Sequence, residues 1–103
     1  MFTTKIKNAI CSASTGSPVG NGRAPYYESL GHAYGAIDSR LLDCNMRINP
    51  EDWAYKTNCV DFSKGTVCFN VEVWDGHNGH AGDIEINVYR MPSGRYELVV
   101  YPH

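Results

Sequence analysis

No stretch of the chain approaches the roughly 18 consecutive apolar residues that a membrane-spanning helix needs. Met1 to Ile10 alternates polar with apolar residues where an export signal would carry an unbroken apolar core. These two lacks predict a soluble, cytoplasmic chain with no membrane partner. Cysteine is sparse and unclustered: Cys11, Cys44, Cys59 and Cys68 contain no Cys-x-x-Cys pair. A secreted domain would pair four cysteines in one of three ways. Without an export signal the expectation is reduced thiols, with Cys44 and Cys59 as small buried hydrophobes. No charge of one sign dominates either. Nine basic residues stand against eleven acidic, net −2, too little positive charge for the phosphate neutralisation that drives nucleic-acid binding. Direct contact with DNA or RNA is therefore not expected. There is no internal repeat, and the run SASTGSPVGNGRA lacks the lysine and the preceding strand of a phosphate-binding loop.

What the sequence does contain is one domain's worth of ordinary globular composition over residues 1–103, 43% hydrophobic and 12% aromatic. A chain of 11.5 kDa exposes roughly 5,800 Å² when folded against roughly 16,700 Å² unfolded, enough burial for one core and no second. Charge is unevenly placed. Residues 1–50 carry five basic and three acidic side chains, net +2, and residues 51–103 carry four and eight, net −4. A charge-steered partner is expected on the acidic half.

Along the chain, Phe2, Ile6 and Ile10 recur every four residues behind Thr3 and Thr4, which predicts a short helix with a threonine at its start. The segment from about 12 to 24, rich in Gly, Ser and Pro, reads as a flexible loop. Pro25 then opens a helix expected over about 25–43, its apolar face formed by Tyr27, Leu30, Tyr34, Ile37 and Leu41. Gly31 and Gly35, four apart on a neighbouring strip, predict a close approach of another backbone. Past Cys44 the period changes to two. Met46 and Ile48 alternate before a turn at Asn49-Pro50, and Trp53, Tyr55, Thr57 and Cys59 alternate as a further strand. The clearest strands are Thr66 to Trp74, Asp83 to Arg90 and Tyr96 to Tyr101, separated by DGHNGHAG and Met91-Pro92-Ser93-Gly94. Consecutive strands with short loops form an antiparallel meander. The predicted fold class is α+β, two layers, with the N-terminal helix or helices packed on one face of a three- to five-stranded antiparallel sheet.

Two groups of residues point to chemistry. Asp75, His77, His80 and Asp83 cluster in the glycine-studded loop, and imidazole and carboxylate are ligands that Zn²⁺ or another divalent metal selects. With a bound water such a set makes a small metal-dependent hydrolase or nuclease; the plain alternative is a solvated hairpin tip. No cofactor is otherwise implied. A cysteine nucleophile would need a histidine base and cationic surroundings, and nothing cationic adjoins Cys68. His32 and His103 have no assignable partner in the sequence. The second group comes from strand alternation. If Val67, Phe69, Val71, Val73, Ile84, Ile86 and Val88 face the core, then Asn70, Glu72, Trp74, Asp83, Glu85, Asn87 and Tyr89 share the opposite face, joined by Glu97 and Tyr101 if the register allows.

Aromatic anchors among like-signed charges suit a surface that docks a basic protein. The expectation is a non-catalytic protein-binding module, monomer or small homo-oligomer, whose partner-binding residues are Glu72, Trp74, Asp83, Glu85, Tyr89 and Glu97. Small phage-encoded inhibitors of host nucleic-acid-handling or defence proteins offer an analogy of size and charge. The hairpin INVYRMPSGRYELVVY also resembles the strand–turn–strand arginine and tyrosine pattern of small toxin-type ribonucleases. Those enzymes hold RNA on a basic surface, and the −4 charge of this half argues against that use.

Overall fold

A computed structural model describes residues 2–16, 24–76 and 79–103. Helix α1 (Thr4–Cys11) begins at Thr3, whose hydroxyl accepts a hydrogen bond from the Ile6 N–H at 3.3 Å. Helix α2 (Leu30–Leu42) is capped in the same way by Ser29, whose Oγ accepts from His32 N–H. Four strands follow, interrupted by one helix: β1 (Met46–Ile48), α3 (Pro50–Cys59), β2 (Val67–Asp75), β3 (Gly79–Arg90) and β4 (Tyr96–Pro102). They make one antiparallel sheet in the order β1-β2-β3-β4. The helices pack on one of its faces, giving the α+β fold expected from the periodicity.

The core lies between these layers. Phe69, Val71 and Val73 of β2, Ile84, Ile86 and Val88 of β3, and Leu98 and Val100 of β4 turn inward. They meet Phe2, Ile6 and Ile10 at the N-terminus, Ala33, Ile37 and Leu41 of α2, and Trp53 of α3. Period-two burial on the strands and period 3.6 on the helices thus meet in one hydrophobic cluster. Trp53 joins Tyr34 and Phe69 edge-on, with ring centroids 5.5 and 5.9 Å away.

Three expectations from the sequence are corrected here. Residues 53–59 are helical, not a strand. Asn49 accepts from the N–H groups of Glu51 and Asp52, Pro50 occupies the first helical turn, and the two acids favour the positive end of the helix dipole. These start signals outweigh the alternation of Trp53, Tyr55, Thr57 and Cys59, of which only Trp53 is buried, so Cys59 is exposed rather than core. Helix α2 starts five residues after Pro25, because the Tyr27 backbone is drawn into a two-bond bridge with Tyr96 of β4. Finally, Gly31 and Gly35 adjoin no second backbone among the described residues. A Cβ at Gly31 would meet only Ser29 Oγ at 3.6 Å, and one at Gly35 would meet nothing within 4 Å.

Of the segment expected to be a loose loop at 12–24, residues 17–23 lie outside the described residues. Its first residues run along the free edge of β4: Thr15 exchanges hydrogen bonds with Leu98, and Ser14 Oγ accepts from Val100 N–H at 2.9 Å. The opposite edge is closed by other means. Asp38 of α2 accepts from Ile48 N–H on β1 at 3.1 Å. Beyond the end of β1, Asp52 accepts from Glu72 N–H at 2.9 Å and Lys56 donates to the Asn70 carbonyl at 2.7 Å. Backbone groups that would otherwise invite another strand are thereby satisfied.

Gly82 occupies an inward position on β3 opposite Val73, with the Phe2 ring against it. A Cβ there would sit 2.9 Å from Phe2 Cζ. We expect Gly82→Ala to destabilise the fold by about 1–3 kcal/mol in denaturant unfolding. In a Phe2→Ala background the same change should cost nearly nothing, since the two effects are coupled through one contact.

Candidate functional site: the open face of the sheet

The face turned away from the helices has no described element packed on it. Strand register arranges its side chains in rows. Glu72 stands opposite Asp83, Asn70 opposite Glu85, and Cys68 opposite Asn87. On the other side of β3, Glu85 is opposite Tyr101, Asn87 opposite Val99, and Tyr89 opposite Glu97. The acids Glu72, Asp83 and Glu85 therefore cross the middle of the face, with Trp74 at one end and Tyr89 with Glu97 at the other. Trp74, Tyr89, Val99 and Tyr101 are each 40–51% exposed, a high value for large apolar groups on one surface.

A β-bulge shapes the Trp74 end. Val73 pairs with Gly82 but Trp74 pairs with His80, leaving Ala81 as the extra residue. Residues three apart on a regular strand point to opposite faces. The bulge brings His80 round to the side of Asp83, and His80 Nε2 lies 3.0 Å from Asp83 Oδ1. The Trp74 ring covers Gly79, which has φ of +81° and would bring a Cβ to 3.7 Å from Trp74 Cζ3. Its indole N–H donates to Glu72 Oε2 at 3.2 Å, and Asn49 Nδ2 donates to the same oxygen at 3.1 Å.

Like charges opposite one another across strands destabilise a sheet. Here each of the three central acids has a partner that offsets the repulsion. Hydrogen bonds from Asn49 and Trp74 hold Glu72 below the usual carboxylate value, with smaller help from the charges of His80 and Lys56. Asp83 is met by His80. Glu85 accepts from Asn87 Nδ2 at 2.9 Å and lies 3.5 Å from His103 Nε2. Glu97 differs: no hydrogen bond or ion pair joins its side chain to any of the described residues. The neighbouring Cys68 thiol is pushed above its ordinary value by partial burial and by the Glu85 charge, the reverse of what a thiolate nucleophile needs.

The four residues considered for a metal do not all come into view. His77 lies outside the described residues; His80 and Asp83 touch each other; Asp75 closes the β1–β2 ladder opposite Met46. Among the described residues no three His, Cys, Asp or Glu groups converge as ligands. None of the helices they form is long and apolar enough to cross a membrane.

Sequence reading placed Glu72, Trp74, Asp83, Glu85 and Tyr89 on one face, and the structure brings them there together. It left Glu97 and Tyr101 dependent on register, and the Met91–Gly94 turn, with Gly94 at φ +89°, sets that register in their favour. It missed Val99, hidden in the unbroken run Leu98-Val99-Val100, and it missed Tyr26. The latter ring borders the Tyr89 end of the face beneath the Arg95 guanidinium, 4.5 Å from its centroid. No periodic signal marks Tyr26, because it precedes the first capped turn of α2.

Together these features define a small α+β protein whose antiparallel sheet has one face buried and one acidic, aromatic face open. No protein family, curated protein or solved structure matches the chain.

His80 is held above the ordinary imidazole value of 6.5, first by the hydrogen bond to Asp83 and then by the charges of Asp83 and Glu72, against the effect of partial desolvation. Because the folded state favours the charged ring, the contact stabilises fully below 6.5 and its contribution fades as pH rises through the raised value. A ring-proton NMR titration should place His80 above 6.5 in the native protein, and Asp83→Asn should bring it back towards 6.5. A native value at or below 6.5 would contradict the contact.

Proposed function

We propose that this protein is a non-catalytic binding module that docks a basic protein surface through the open face of its sheet, acting as an inhibitor or regulator of a nucleic-acid-handling or defence protein. The observation that supports this reading is the row Glu72, Asp83 and Glu85. Three carboxylates stand across adjacent strands within hydrogen-bond or ion-pair reach of Asn49, Trp74, His80, Asn87 and His103. A purely solvated face has no need of that expense in hydrogen-bonding groups, whereas a fixed field of negative charge steers and selects a basic partner. Trp74, Tyr89 and Tyr101 supply the contact area that charge alone does not provide.

The capped strand edges favour the same assignment. Strand addition at either side would have to displace Asp38, Asp52 and Lys56, or Ser14 and Thr15, from the backbone groups they satisfy. The open face carries no such edge contacts and supports docking by side chains instead.

The test is capture of partners from lysate by the wild type and by the Glu72→Lys/Glu85→Lys/Glu97→Lys variant, with mass spectrometry and circular dichroism on both. A single stoichiometric basic partner, lost in a variant that keeps its secondary structure, is the expected result. Its affinity should also fall with added salt. Equal capture by both proteins removes the proposal. So does stoichiometric Zn²⁺ uptake coupled to hydrolytic turnover and abolished by alanine at His77 and His80, which would establish the metal-dependent alternative.

A further inference from the structure

An open cleft of about 700 Å³ lies where the β3–β4 end of the face meets residues 15–16 and 25–26. That volume is within the range of about 300–1,000 Å³ usual for sites that hold small organic groups. Asn87, Tyr89, Glu97 and Val99 of the sheet line it, together with Tyr26 and Met91. We propose that this cleft is an arginine subsite, which takes the guanidinium group of an arginine side chain from the docked partner. The proposal rests on the docking reading above and names the anchor of that interface.

Three features set the ligand's chemistry. The first is charge. Glu97 is the one acid of the face whose side chain has no hydrogen-bond or ion-pair partner among the described residues, and it stands directly opposite Tyr89 on the neighbouring strand. The second is hydrogen-bond polarity. The Asn87 amide spends one N–H on Glu85 at 2.9 Å, and it keeps its carbonyl oxygen, an acceptor like Glu97, together with its second N–H. Thr15 Oγ1 is already bonded to both the N–H and the carbonyl of Leu98. The strongest acceptor in the cleft is the Glu97 carboxylate, which calls for a donor-rich cation, and guanidinium carries five N–H donors.

The third is the aromatic lining. Tyr26 and Tyr89 line the cleft, and aromatic rings attract a planar cation, more strongly guanidinium than the compact, tightly hydrated ammonium of lysine. The fold already uses this chemistry at the same place, where Arg95 lies over Tyr26 at 4.5 Å. Arg95 is itself paired with Glu28 at 3.3 Å, so its charge is balanced and does not oppose an incoming cation as a free arginine would.

N-acetyl-L-arginine methylamide is the probe, followed by ¹H–¹⁵N NMR against the whole chain, with the citrulline analogue as neutral isostere and the lysine analogue as ammonium control. Arginine amide should give saturable shifts at Asn87, Tyr89, Glu97 and Val99, with an affinity of about 1–10 mM, the range open to a single side chain. Glu97→Gln, which retains size and leaves the other resonances in place, should weaken it by about tenfold or more, the effect of losing one charge-assisted hydrogen bond. Citrulline binding as well as arginine, lysine binding as well as arginine, or shifts that follow Glu72 and Glu85 in place of the cleft would each overturn the proposal. The wider docking reading fails separately. If Glu72→Lys/Glu85→Lys leaves partner capture unchanged while the cleft still saturates with arginine amide, the subsite stands and the acidic row is not the interface. Capture lost on that reversal with no probe binding gives the converse.

Discussion

The rest of the structure depends on the closing of the two sheet edges by groups that do not belong to the sheet. A three-stranded meander flanked by a three-residue strand has unsatisfied N–H and C=O groups along both sides, and each would cost free energy if buried unpaired or invite association if exposed. Asp38, Asp52 and Lys56 meet those groups on one side, and Ser14, Thr15 and Tyr27 meet them on the other. The same contacts locate the helices. Helix α2 brings Asp38 to β1, α3 brings Asp52 and Lys56 to β2, and the turn after α1 brings Ser14 to β4. Hydrophobic burial holds these helices against the sheet, but it is non-directional; the hydrogen bonds to the edges supply direction.

With three helices committed to one face and both edges occupied, the remaining face keeps the residues that alternation assigns to it. Its electrostatics are prepared rather than incidental. Charges on adjacent strands repel, and hydrogen bonds and ion pairs to Glu72, Asp83 and Glu85 offset that repulsion. Glu72 is consequently charged at lower pH than an ordinary glutamate, and His80 retains its proton at higher pH than an ordinary histidine. Glu97, at the other end, has its charge left over. An acidic row beside an unpartnered carboxylate in an aromatic cleft gives the face two zones, one of paired acids and one of exposed aromatic surface.

Most of the sheet was legible in the sequence because period-two alternation is a local property. Val67 to Val73 and Ile84 to Val88 repeat strictly, so the two faces separate without any knowledge of the fold. The capping of α1 by Thr3 was legible for a similar reason. Helix α3 was misread because its alternating large residues mimic a strand, while the cap Asn49-Pro50-Glu51-Asp52 lay in plain view as a helix start. Cys59 was misplaced with it. The glycines of α2 suggested a close neighbour that the fold does not provide, since a small residue permits an approach without causing one.

The sequence by itself determined the fold class, the inward residues of the strands and the membership of the acidic face, because each follows from a repeat of two or of 3.6 residues. Tertiary structure alone decided how those residues meet. The extra residue Ala81 turns His80 towards Asp83, against the face that residue counting assigns it. The register at the Met91–Gly94 turn sets Glu97 opposite Tyr89, and the bridge from Tyr27 to Tyr96 brings Tyr26 to the border of the cleft. Bulges, registers and edge contacts join residues far apart in the chain, and such pairings leave no periodic trace in the sequence.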